Sequence, residues 1–146
     1  LAEAQFTLGV MYALGQGVPQ DYRGAARWTR KAAEQGLAEA QFNLGARFAN
    51  GQGVPQDYIE AARWTRKAAE QGHAGAQFNL GLMYAKSRGV SQDYLAAYMW
   101  FSAAASNGLE AAARSRDIIA ESMTAAEISN AQNLAKGCAA IQFKGC

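Results

Sequence analysis

The sequence is poor in the residues that most catalytic and metal chemistry needs. One histidine, His73, stands in 146 residues, so no imidazole pair at helical spacing is available to hold a metal. No Cys-x-x-Cys and no nucleophile motif occurs. Cysteine is confined to Cys138 and Cys146, and proline to Pro19 and Pro55. Charge is nearly balanced, with 14 Lys and Arg against 12 Asp and Glu, which gives no reason to expect nucleic acid or an anionic membrane as a partner. No apolar run approaches the roughly 18 residues needed to span a bilayer, and no signal peptide is recognisable. No cofactor is implied.

What the sequence does hold is a repeat. Gly15-Gln-Gly-Val-Pro-Gln-Asp21 recurs letter for letter as Gly51 to Asp57, and in weaker form as Ser87-Arg-Gly-Val-Ser-Gln-Asp93. The interval is 36 residues both times, which is the mark of a stack of like units. The first residues already lie inside a unit, because Leu1-Ala-Glu-Ala-Gln-Phe6 matches Leu37 to Phe42. The chain therefore reads as a fragment, or as a mature form cut at a repeat edge.

Each unit predicts two helices. Ala4, Leu8 and Tyr12 fall at i, i+4 and i+8 on one helical face, with Gly9 beside them to admit a close neighbour. Gly15 suits a left-handed helix stop, and Gly17 a second unusual backbone angle. Val18 is an apolar plug, Pro19 stiffens the exit, and Asp21 is an N-cap for the helix that starts at Tyr22. Ala25, Trp28, Ala32 and Ala33 form that second helix's buried face, and Gly36 ends it. The second copy gives Ala40, Leu44, Gly45, Phe48, Ala61, Trp64, Ala68, Ala69 and Gly72. The third gives Ala76, Leu80, Gly81, Tyr84, Ala97, Trp100, Ala104, Ala105 and Gly108.

These positions resemble the Sel1-like repeat, a relative of the tetratricopeptide repeat found in bacterial proteins. Ser87 and Ser91 depart from the pattern in copy three, and Phe48 replaces Tyr in copy two. The resemblance implies an all-α fold, a right-handed α/α solenoid of helix-turn-helix units at 1–36, 37–72 and 73–108. Residues 109–146 then form a degenerate half-repeat and a capping helix. There Thr124 and Glu127 make a capping box, and Tyr98-Met-Trp-Phe101 precedes the cap as in the closing repeat of such proteins.

Candidate sites are few. His73 replaces Leu37 at a turn and reads as a solvated substitution. Asp21, Asp57 and Asp93 lie one repeat apart, about 10 Å in a stack, too far to share a proton. Arg27, Arg30 and Lys31 recur as Arg63, Arg66 and Lys67, but copy three has Met99, Ser102 and Ala103 there, so this basic stripe reads as a solvated face. Cys138 and Cys146 are either free thiols or a disulfide; their isolation as a pair favours the bond, which would place the chain in an oxidising compartment, periplasmic or secreted.

The face opposite Leu8 is more informative, because in related repeats it lines the concave surface. It carries Glu3, Phe6, Thr7 and Val10. Copy two supplies Glu39, Phe42, Asn43, Ala46, Arg47 and Asn50, and copy three Phe78, Asn79, Leu82 and Lys86. Copies one and two differ at seven positions between Gln5 and Gly36, and five of these lie in the first helix. The family resemblance and the missing catalytic constellation together imply a monomeric, non-enzymatic scaffold that binds a peptide or protein along this face. Two alternatives stand beside it. One is a spacer or end segment of a longer solenoid. The other is a secreted hydrolase acting on cell-wall or β-lactam-type substrates, for which a disulfide in each repeat and a cleft acid or nucleophile are missing.

Overall fold

The structure, a computed structural model, describes residues 1–146 and contains eight α-helices and no strand. They are α1 (Ala2–Leu14), α2 (Tyr22–Glu34), α3 (Ala38–Asn50), α4 (Tyr58–Glu70), α5 (Ala74–Lys86), α6 (Tyr94–Ser106), α7 (Glu110–Ala120) and α8 (Ala125–Ala140). The chain divides into two compact units, Leu1–Ala68 and Ala69–Cys146.

Each repeated loop closes the helix before it and opens the one after it. Gly15 takes φ 67° and its N–H donates to the Met11 carbonyl, as a left-handed C-cap should. The Asp21 N–H donates to the Tyr12 carbonyl at 2.9 Å, and Gln20 Nε2 to the Ala13 carbonyl at 2.9 Å. Carbonyls left open by the end of α1 are therefore satisfied by the loop itself. Asp21 then accepts from Arg23 N–H and caps α2. The second loop repeats the scheme through Gln56 and Asp57, and the third through Gln92 and Asp93. Ser87, where the other copies have glycine, still adopts the left-handed conformation at φ 56°, and its hydroxyl donates to the Val90 carbonyl.

In the first unit α1 packs on α2, and α2 on α3. Glycine sets the closeness of the paired helices. A Cβ on Gly9 would lie 2.7 Å from Thr29 Oγ1, and one on Gly45 2.5 Å from Thr65 Oγ1. The core is built of alanines (Ala25, Ala32, Ala33, Ala40 and Ala61 among them) together with Leu44, Phe48 and Trp64.

In the second unit α6 packs against α5, α7 and α8, and Met99, Trp100 and Phe101 are almost wholly buried. Gly81 meets Phe101 here, where the first unit has threonine; a Cβ would be 2.6 Å from the ring. The capping box at the start of α8 is present in both directions, Glu127 N–H to Thr124 Oγ1 and Thr124 N–H to Glu127 Oε2. Cys138 and Cys146 form a disulfide with Cα atoms 6.0 Å apart. It ties down a short terminal turn in which Phe143 stacks on Trp100 with ring centroids 6.0 Å apart.

Buried glutamines stitch successive helices. Gln41 Nε2 donates to the Ala33 carbonyl and Gln77 Nε2 to the Ala69 carbonyl, each at 3.1 Å. The Gln77 Oε1 also accepts from Asn107 at 2.9 Å. Gln77→Leu removes both bonds, while the Ala69 carbonyl still accepts from the Gly72 N–H and Asn107 Nδ2 still donates to the Gly72 carbonyl, so it is expected to lower unfolding free energy by about 1–2 kcal/mol in urea titrations. A neutral result would mean that water takes over both bonds.

Candidate functional site

The candidate face is carried by the first helix of each pair. Phe6, Phe42 and Phe78 stand two residues before Leu8, Leu44 and Leu80, about 200° around the helix from them. Leu44 and Leu80 are fully buried, while all three phenylalanines are half-buried. Within the first unit Glu3, Thr7, Glu39 and Asn50 are exposed, and Val10, Asn43 and Ala46 are half-buried. The Thr7 hydroxyl donates to the Glu3 carbonyl at 2.9 Å, so its proton is used within the helix. In the second unit Lys86 is exposed, and Asn79 and Leu82 are half-buried. Phe78 leans inward on Phe101, ring centroids 5.7 Å apart, and Leu82 joins the same cluster.

Arg47 does not sit on this face as expected. It is 6% exposed. Its Nε donates to Asn43 Oδ1 at 3.0 Å, and its Nη1 is buried without a partner. Burial lowers its pKa below the usual arginine value, partly offset by the nearby Tyr22. The cause lies in register. Position 47 corresponds to Met11 and Met83, and Met83 is likewise buried.

His73 also differs from expectation. It is half-buried and caps α5, its Nδ1 accepting from the Ala76 N–H at 3.1 Å.

The outer cations lie on aromatic faces. Lys31 Nζ is 4.5 Å from the Trp28 ring centroid and Lys67 Nζ 5.8 Å from that of Trp64. Arg30 covers Phe48 at 5.4 Å, and Arg63 pairs with Glu60 at 2.9 Å. Such contacts give the stripe a packing role. No three His, Cys, Asp or Glu side chains converge to hold a metal ion, and no helix is long and apolar enough to cross a membrane.

The glutamines at 20, 56 and 92 and at 41 and 77 also hold the structure together, and each recurs at the repeat interval. Their spacing was the available signal.

The model of the Sel1 repeat matches residues 2–37, 38–73 and 74–109. The chain belongs to the Sel1 repeat family. Its solved relatives have the same all-α solenoid fold. A Sel1 repeat protein from Oxalobacter formigenes is 38% identical with a TM-score of 0.78, over 80% of this chain and 48% of that one. The protective antigen c5321 of uropathogenic Escherichia coli, which displays an SLR fold, is 31% identical with a TM-score of 0.78, over 93% of this chain and 37% of that one. The chain thus spans about half the length of the first and little more than a third of the second. Among curated proteins nothing matches.

Proposed function

We propose that this Sel1 repeat chain is a non-enzymatic interaction module that holds a peptide or protein segment on the outward faces of its first helices, α1 and α3 in the first unit and α5 in the second. Sel1 repeat solenoids generally mediate protein–protein interaction. The observation that carries the finer reading is where the first two copies diverge. Their second helices are identical from Ala25 to Gly36 and from Ala61 to Gly72, while five differences gather in α1 and α3. Of these, Thr7/Asn43, Val10/Ala46 and Leu14/Asn50 are partly or fully exposed in both copies. Duplicated packing with a divergent exposed face suits a surface adapted to a ligand. The Cys138–Cys146 bond supports an oxidising compartment, periplasmic or extracellular. Residues 109–146 serve in this reading as a cover for the third repeat.

The test is a triple substitution, Phe42→Ala, Asn43→Ala and Asn50→Ala, scored by capture of partners from the source cells. Capture is expected to fall at least about tenfold while the helical circular dichroism is retained. Undiminished capture by a folded variant would remove this face from consideration.

A further inference from the structure

Helices α6, α7 and α8 border an open cleft of about 490 Å³, lined by Tyr98, Ser102, Arg116, Gln132, Ala135 and Lys136. The lining holds two cations and no carboxylate. Its deepest polar group is Tyr98, which is 7% exposed. The Tyr98 hydroxyl accepts from Gln132 Nε2 at 3.4 Å, and its own proton has no acceptor in the protein. Arg116 lies over the Tyr98 ring, 5.9 Å from the centroid. Its Nε is taken by Asp117 at 3.3 Å, which leaves the two terminal nitrogens to donate. Lys136 has no acidic partner, and the Ser102 hydroxyl makes no hydrogen bond. Spare donors therefore converge on one space, and such a lining suits an acceptor-only group.

We propose that this cleft binds a carboxylate. The charge count selects that group over phosphate. Arg116 and Lys136 supply two positive charges and Asp117 removes one, leaving a single charge for the ligand to balance. The group is carried either by a small organic acid or by an acidic side chain or free C-terminus of a peptide. The site uses α6 to α8 only, so it stands or falls apart from the face on α1, α3 and α5.

The test is a titration of the 15N-labelled full chain at constant ionic strength. Propionate is expected to shift the Ser102 amide, the Arg116 Nε–H and the Gln132 side-chain amide saturably, with a Kd on the order of millimolar. Lys136→Gln, an exposed change, should weaken binding at least about fivefold, and Tyr98→Phe should do the same with its melting temperature checked alongside. A hexapeptide with a free C-terminus that binds more tightly than both propionate and its own C-terminal amide would assign the peptide source. Propionate binding at least as tightly would assign the small acid. Shifts that rise linearly and spread to Arg27, Arg30 and Lys31 would overturn the proposal. So would phosphate binding as tightly as propionate, or a Lys136→Gln chain that binds unchanged.

Discussion

Gly53→Ala is expected to lower the unfolding free energy by about 3–4 kcal/mol, whereas Gly17→Ala should cost only about 1–2 kcal/mol. The two glycines occupy the same place in identical loops, with φ 77° and 75°. Both substitutions carry the left-handed penalty, on the order of 1–2 kcal/mol for a residue with a Cβ. They differ in what the methyl group meets. At Gly17 the nearest atom is the flexible Met11 Cε at 3.5 Å, an ordinary contact. At Gly53 the Cβ would lie 1.9 Å from the Tyr22 carbonyl oxygen and 2.4 Å from its carbon. That carbonyl belongs to the first turn of α2 and cannot rotate aside, so the loop itself must move, at about 1–3 kcal/mol for such overpacking. Urea denaturation of both variants beside the parent chain provides the measurement. Equal losses would show that the loop does not rest on α2 in solution.

Arg47→Met is expected to act in the opposite direction, raising stability by about 2–3 kcal/mol. Few surface-distant substitutions stabilise a native protein by that much. The other copies show what this position tolerates. Met11 and Met83 occupy the same register, so a thioether of similar length is already accepted there twice. The guanidinium loses its hydration on folding and recovers one bond, to Asn43, while Nη1 stays buried and unpaired. The sign of the pH effect follows from the lowered pKa. The folded state holds this proton less firmly than the unfolded chain, so the penalty is fully present below the folded pKa and is relieved only in strong alkali. The gain from methionine should therefore be flat from about pH 5 to pH 9. Chemical denaturation at several pH values tests both points. A loss of stability would mean that the guanidinium reaches solvent or an acceptor.

How much of this was legible in the sequence depended on how local the physics was. Gly15, Gly51, Asp21, Asp57 and the Thr124–Glu127 box obey rules that operate within a few residues, and each was found in its expected role. Gln20, Gln56 and Gln92 recur at the repeat interval, but their role depends on the Ala13, Ala49 and Ala85 carbonyls they reach, which only the fold places. Arg47 differs between copies, as a residue of the outward face would. Its register with two methionines pointed inward, and register was the better guide. His73 falls at a turn where spacing alone suggests a solvated residue, since the capping role of a histidine depends on ring orientation rather than spacing. Phe78 leans inward because Phe101 stands where the first two copies have threonine, a difference on the partner helix. For the candidate face, spacing supplied the residues and the structure their exposure.

The near-identity of the first two repeats also bears on how the chain reaches its fold. A first helix that emerges from the unfolded state finds two second helices with the same twelve-residue packing sequence, Ala25–Gly36 and Ala61–Gly72. Docking on the wrong copy leaves an exchanged pairing that local contacts hardly penalise, a known hazard of repeat chains. Discrimination falls to the few differing side chains at the seam, Met11 against Arg47 and Tyr12 against Phe48 among them. Arg47, buried where the other copies have methionine, is thus one of the marks by which the chain can tell its own copies apart.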